Sequence, residues 1–210
     1  MKKLLLLGAT GGTGRQVLTQ ALAQGHQVTV LVRNPQGLPA GTERARVLVG
    51  SVPDDASVLA DAVRGQDAVI STLGVGNSLK ALGLIGRSVP AIIDAMQAHG
   101  VRRFILTSAY GVGETRRDVP FLPGILMRFL LRDLYADKEA GEEYLRRSAL
   151  DWTIVYPSTL TNGPRTGRYE VGERLVLHGF PRVSRADVAE LLLAQVEDRK
   201  YLKKGVLISS

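Results

Sequence analysis

Short, almost unbroken apolar runs alternate along this chain with longer stretches whose apolar positions recur at helical spacing. The runs Leu4–Leu7, Gln27–Val32, Arg46–Val49, Ala68–Thr72, Arg103–Thr107, Thr153–Tyr156 and Gly205–Ser209 predict strands. Strands without a polar face are those covered by helices on both sides, as in a parallel sheet. Between them the pattern predicts helices over Arg15–Gln24, Asp54–Val63, Leu79–His99, Ala136–Ser148 and Arg185–Val196, with an apolar helix near Gly124–Leu134. Asp54 and Asp55 would then lie in a first turn, where the helix dipole favours acids. Gly100 is a helix stop, and Ser184 with Asp187 reads as a capping box. No repeat, linker or low-complexity tract interrupts the alternation. The expectation is a single α/β domain over residues 1–210, a doubly wound and mainly parallel sheet with helices on both faces.

Composition narrows the class. With 210 residues and 45% hydrophobic content, the chain is that of a globular protein. It contains no cysteine, which excludes disulfides and thiolate chemistry. The start Met1-Lys2-Lys3-Leu4 imitates a signal peptide, but the apolar segment is short and Gly11–Arg15 breaks it, so it reads as the first strand. Without a membrane-length apolar run, the expected compartment is the cytoplasm. A net charge of +7 raises the question of nucleic acid. The basic residues come as scattered doublets without aromatic interleaving, so that reading is disfavoured, and a basic surface also gathers an anionic cofactor. His26, His99 and His178 have no ligand-spaced partners, so no metal site is expected.

The chemistry is carried by Gly8-Ala9-Thr10-Gly11-Gly12-Thr13-Gly14, between the first strand and the first helix. Such a turn leaves the helix's first N–H groups free and aims its dipole at whatever sits above, a site for a diphosphate. Gly8 permits the tight turn, Gly11 the close approach of phosphate, and Gly14 the packing of helix on strand. The second strand ends at Arg33, and no acid occurs before Glu43. An NAD site places a carboxylate there to accept from the ribose, whereas a guanidinium matches a 2′-phosphate. The cofactor expected is therefore NADP(H). The other residues expected near it end strands: Ser51, Val52, Leu73, Gly74, Ser108, Pro157 and Thr159. The helix Ile125–Leu134 either walls the pocket above the nicotinamide or is one more core element.

With these residues in view, the chain resembles the atypical short-chain dehydrogenase/reductase family, which has the NAD(P)-binding Rossmann fold. The resemblance runs through Gly8–Gly14, Leu31–Arg33, Ser71–Gly74, Leu106–Ala109, Lys138–Leu145, Leu150–Pro157 and Gly163–Tyr169. Within the family it is most similar to the biliverdin-IXβ reductase/flavin reductase group and to NmrA-like proteins. The first group implies NADPH-dependent hydride transfer to flavins or linear tetrapyrroles, with flavin as substrate rather than bound group. The second implies nucleotide sensing without chemistry. A nucleotide-sugar epimerase or carbonyl reductase is a third possibility. Three positions depart from the pattern. Ser51 stands where many relatives have an Asp that contacts adenine, and Thr159 where biliverdin-IXβ reductase has a His. The carbonyl-reducing Tyr-x-x-x-Lys pair is matched only by Tyr135-Ala136-Asp137-Lys138, one residue too close. That spacing favours Tyr135 as a pocket wall and Lys138 in surface pairs or near a ribose, with Asp137 solvated. Ser108, Tyr135 and Lys138 are the catalytic candidates, Ser108 being best placed to orient a carboxamide or substrate. The partner expected is a small-molecule acceptor, at no membrane, with monomer and dimer both open.

Overall fold

The computed structural model describes residues 1–76, 83–117, 131–177 and 179–210. Its strands are β1 (Lys3–Leu7), β2 (Gln27–Val32), β3 (Arg46–Val49), β4 (Ala68–Ser71), β5 (Arg103–Thr107), β6 (Asp151–Pro157), β7 (Thr159–Thr161), β8 (Glu170–Gly172), β9 (Arg182–Ser184) and β10 (Lys204–Ser209). The helices are α1 (Gly12–Ala23), α2 (Ala56–Val63), α3 (Leu84–Ala98), α4 (Arg132–Arg147) and α5 (Arg185–Ala194). One sheet of eight strands runs β3-β2-β1-β4-β5-β6-β10-β8, and a small second sheet pairs β7 with β9. All neighbours in the large sheet are parallel except β8 on β10. This is the mainly parallel α/β fold that the pattern predicts.

The leucine run shows why the strands lack a polar face. Leu4 and Leu6 enter the core under α1 and α5, while Leu5 and Leu7 enter the core under α2, α3 and α4. All four are at most 1% exposed. A fully buried leucine contributes roughly 1.5–3 kcal/mol, so β1 alone anchors both layers.

Several predicted boundaries move. Helix α1 starts at Gly12, inside the glycine turn, rather than at Arg15. Helix α2 starts at Ala56, so its first turn holds no acid. Asp54 and Asp55 instead serve the preceding turn, because their carboxylates find nearer donors at Ser51 and Arg87. Helix α3 begins at Leu84, and residues 79–82 of the predicted Leu79–His99 lie outside the described residues. Gly100, at φ 70°, ends it as expected. The predicted apolar helix Gly124–Leu134 lies outside the described residues as far as residue 130, as do Pro120 and Pro123, and the described part opens α4 at Arg132. His178 is likewise outside them. Strands β7, β8 and β9 were not expected. Among the described residues no helix is long and apolar enough to cross a membrane.

Candidate dinucleotide site

Strand register brings the predicted site residues to one edge. Leu7 of β1 pairs with Leu31 of β2 on one side and with Ser71 of β4 on the other. Ser71 pairs with Leu106, and Thr107 with Val155. The residues that follow, Gly8, Arg33, Thr72–Gly74, Ser108 and Pro157, therefore share the carboxyl edge of the sheet. After β1 the chain builds outward to β2 and β3, then returns to add β4 on β1's other side. The connections diverge at that point and open the crevice where such folds hold ligands.

Packing explains the glycines at the turn. Gly8 has φ 84°, and a β-carbon there would lie 2.7 Å from the carbonyl carbon and oxygen of Thr72. A β-carbon on Gly14 would overlap the carbonyl oxygen of Gly8. The Gly11 amide donates to that same oxygen at 3.0 Å. Thr72 locks the turn from β4, its amide and hydroxyl donating to the Leu7 carbonyl at 2.9 and 3.0 Å. Thr10 packs against the short 3₁₀ turn Pro35–Gly37, and its carbonyl accepts from Arg15 Nε at 3.1 Å. No side chain caps α1, and its first backbone bond runs from Arg15 to the Gly11 carbonyl at 2.9 Å. Among the described residues the amides of Gly12, Thr13 and Gly14 have no acceptor, a set of donors and a positive dipole end that fit a diphosphate.

Arg33 stands beside this turn, exposed at the end of β2. Among the described residues no carboxylate pairs with it. A carboxylate-free guanidinium at this place fits a 2′-phosphate and does not fit the acceptor role of an NAD site. Ser51 is differently engaged. Its amide donates to Asp55 at 2.6 Å and its hydroxyl to Asp54 at 3.1 Å. Asp54 in turn accepts from Arg87 at 2.6 Å. Val52 is buried, and its carbonyl accepts from Ser88 Oγ at 3.3 Å.

Across the crevice, Leu73 packs against the core, and no described residue lies within 4 Å of where a β-carbon on Gly74 would be. The Pro157 carbonyl accepts from the Tyr110 amide at 3.1 Å. Thr159 is exposed at the start of β7, opposite Arg182 of β9.

The catalytic candidates are arranged unexpectedly. Ser108 Oγ donates to Glu142 Oε1 at 2.5 Å, and Tyr156 donates to Glu142 Oε2 at 2.6 Å. Arg146 donates to the Tyr156 oxygen at 2.8 Å and stacks on Trp152. Burial raises the Glu142 pKa, against the hydrogen bonds from Ser108 and Tyr156 and the charges of Arg146 and Lys138. Among the described residues no carboxylate forms a salt bridge with Lys138. Burial lowers its pKa, opposed by the charges of Glu142 and Asp137. Asp137 is not free in solvent either: its carboxylate accepts from the amides of Ile85 and Gly86 at 3.0 and 2.8 Å and caps α3. The Tyr135 hydroxyl donates to the Tyr110 carbonyl at 3.4 Å, and burial raises its pKa. A tyrosine acid needs a cation that lowers its pKa. Among the described residues the shift of Tyr135 has burial as its cause, with no contribution from Lys138, and the charges that act on Lys138 are those of Glu142 and Asp137.

Sequence reasoning missed Glu142. The available signal was its place four residues after Lys138 and three before the buried Leu145, on one helix face. It also missed Arg185, whose side chain lies over Gly12.

The family model described as NAD(P)H-binding matches residues 8–199. The chain belongs to that family. Among solved structures it is similar to ChuY, an anaerobillin reductase from Escherichia coli O157:H7. The two are 26% identical, the match covers 98% of this chain and 96% of that one, and the TM-score is 0.80. Among curated proteins it is 28% identical to the uncharacterised sugar epimerase YhfK of Bacillus subtilis, over 94% of this chain and 89% of that protein. It is 29% identical to the photosystem II assembly factor Ycf39 of Synechocystis, over 80% of this chain but 48% of that protein. The family, the neighbours and the glycine turn agree on an atypical short-chain dehydrogenase-like protein with the nicotinamide-binding fold of oxidoreductases.

Proposed function

We propose that the chain is an NADPH-dependent oxidoreductase whose acceptor is a flat conjugated molecule of the flavin or tetrapyrrole type. The observation that carries the cofactor reading is the uncapped glycine turn beside an exposed Arg33, with no acid at that strand end. When bound, the reduced nicotinamide supplies a hydride. The amides of Gly12, Thr13 and Gly14 would hold the diphosphate, with Gly8, Thr10 and Gly11 shaping the turn. Arg33 would take the 2′-phosphate, and Ser51 and Val52 would flank the adenosine end. Leu73, Gly74, Pro157 and Thr159 would border the nicotinamide half, with Ser108 at its rim.

Hydride transfer between stacked rings needs alignment more than a dedicated acid, and water can furnish the proton. The disconnection of Tyr135 from Lys138 supports that economy and speaks against carbonyl or nucleotide-sugar chemistry. Similarity to ChuY supports the tetrapyrrole-like acceptor class. Flavin would act as a diffusing substrate. A second reading, an NADP(H) sensor that regulates a partner, is favoured by the engagement of Ser108 with Glu142 and by the similarity to Ycf39.

Anaerobic NADPH oxidation, followed with riboflavin mononucleotide and with a linear tetrapyrrole as acceptors, decides between the two. Turnover with either supports the reductase. Cofactor binding without oxidation by any such acceptor supports the sensor.

A further inference from the structure

We infer that Arg185 is a second cation of the cofactor site and grips the diphosphate, an inference that rests on reading the glycine turn as a dinucleotide site. Arg185 is the first residue of α5. Its Nε and Cδ atoms lie 2.7 and 2.8 Å from the position that a β-carbon on Gly12 would take. Gly12 is the first residue of α1, so the guanidinium stem is laid across the helix terminus whose amides are free.

Among the described residues the charge of Arg185 has no counter-ion. Asn162 Oδ1 accepts from Nη1 at 2.7 Å, and among the described residues no carboxylate pairs with the group. The acids nearest in sequence are committed elsewhere. Asp187 accepts from Thr166, Gly167 and Ser184, and Glu190 pairs with Arg165 at 3.7 Å. A half-buried guanidinium held by a neutral amide beside uncapped helix amides is a receptor for an anion, and its planar donors suit phosphate oxygens. Position 12 belongs to the same device: any side chain there would occupy the space that Arg185 fills. Arg33 and Arg185 thus divide the cofactor's anionic groups, Arg33 serving the 2′-phosphate and Arg185 the diphosphate common to both nicotinamide dinucleotides.

Calorimetric titration of the full chain with NADPH and with NADH separates these roles. Arg185→Gln is expected to weaken both cofactors by the same factor, about tenfold or more, as loss of a charge-assisted contact does. The NADPH-to-NADH ratio should stay unchanged, and Arg185→Lys should restore part of the affinity as a point charge. Gly12→Ala, which keeps its amide, is expected to displace the Arg185 stem and weaken both cofactors likewise. In the Arg185→Gln background the same substitution should cost less than about twofold, because the two act through one contact. Gly12→Ala also tests the inference should Arg185→Gln fail to fold, which its melting temperature reports. Affinity within about twofold of the unmutated chain in Arg185→Gln would overturn the inference. So would a loss confined to NADPH, which would place the cation on the 2′-phosphate. An unmutated chain that binds neither cofactor would instead overturn the dinucleotide reading itself.

Discussion

Tyr135 is buried enough for its pKa to rise, and among the described residues no cation counters that. A protein that works by ring stacking should not depend on this hydroxyl. Tyr135→Phe is expected to keep acceptor reduction within a fewfold of normal, measured as turnover at saturating NADPH. A general acid contributes about 10²–10⁴, so a loss of a hundredfold with cofactor affinity intact would reinstate the tyrosine. A second expectation at this scale concerns the connection between α4 and β6. Ala149 looks like a site for a left-handed cap, yet it is not among the residues with positive φ. Ser148 ends the helix in extended backbone, its hydroxyl donating to the Leu145 carbonyl at 2.7 Å and leaving no need for a glycine. The left-handed non-glycine residue among those described is Lys203, at φ 56°. Thermal melting should therefore show Ala149→Gly destabilising by up to about 1 kcal/mol through added unfolded-state entropy. Lys203→Gly should stabilise by a similar amount as strain is relieved.

At the scale of elements, the cap of α5 is the clearest case of a local signal that held. Ser184 Oγ accepts from the Asp187 amide at 2.9 Å, as the spacing predicts. Asp187 goes further than a capping box. Burial alone would raise its pKa, but the amides of Gly167 and Thr166 and the hydroxyls of Ser184 and Thr166 outweigh burial and hold it below the ordinary value. A lowered folded pKa contributes stability that is present above the unfolded value, near 3.8, and is lost as pH falls through the folded one. Asp187→Asn is expected to cost roughly 1–3 kcal/mol at neutral pH, with the gap to the unmutated protein closing in acid. Denaturant melts at several pH values check this, and a gap that stays constant below that value would contradict it. The elements legible in the sequence are those with long apolar runs, such as Gln27–Val32 and Arg103–Thr107, whose bounds coincide with β2 and β5. Strands β7, β8 and β9 were illegible because each has three residues and takes its pairing from partners distant in sequence. Helix α4 is charged by composition and Asp137 looked solvated, but tertiary contacts bury Glu142 and assign Asp137 to the start of α3.

For the whole molecule, the two readings that needed only local order, glycines between strand and helix and a cation ending the next strand, are brought together by the register of β1 with β2. What required the fold was every contact between elements far apart in sequence: Thr72 pinning Gly8, Glu142 reaching Ser108, and Arg185 lying over Gly12. No periodicity encodes those meetings, since they depend on which helices share a face of the sheet. The central claim is that this edge is built for NADP(H), and titration of the unmutated chain and of Arg33→Ala with NADPH and NADH addresses it most directly. The structure-based expectation is that NADPH binds at least about tenfold tighter than NADH, near 1.4 kcal/mol, and that Arg33→Ala removes most of that difference while NADH affinity barely changes. Equal affinities for the two cofactors in the unmutated protein would contradict it.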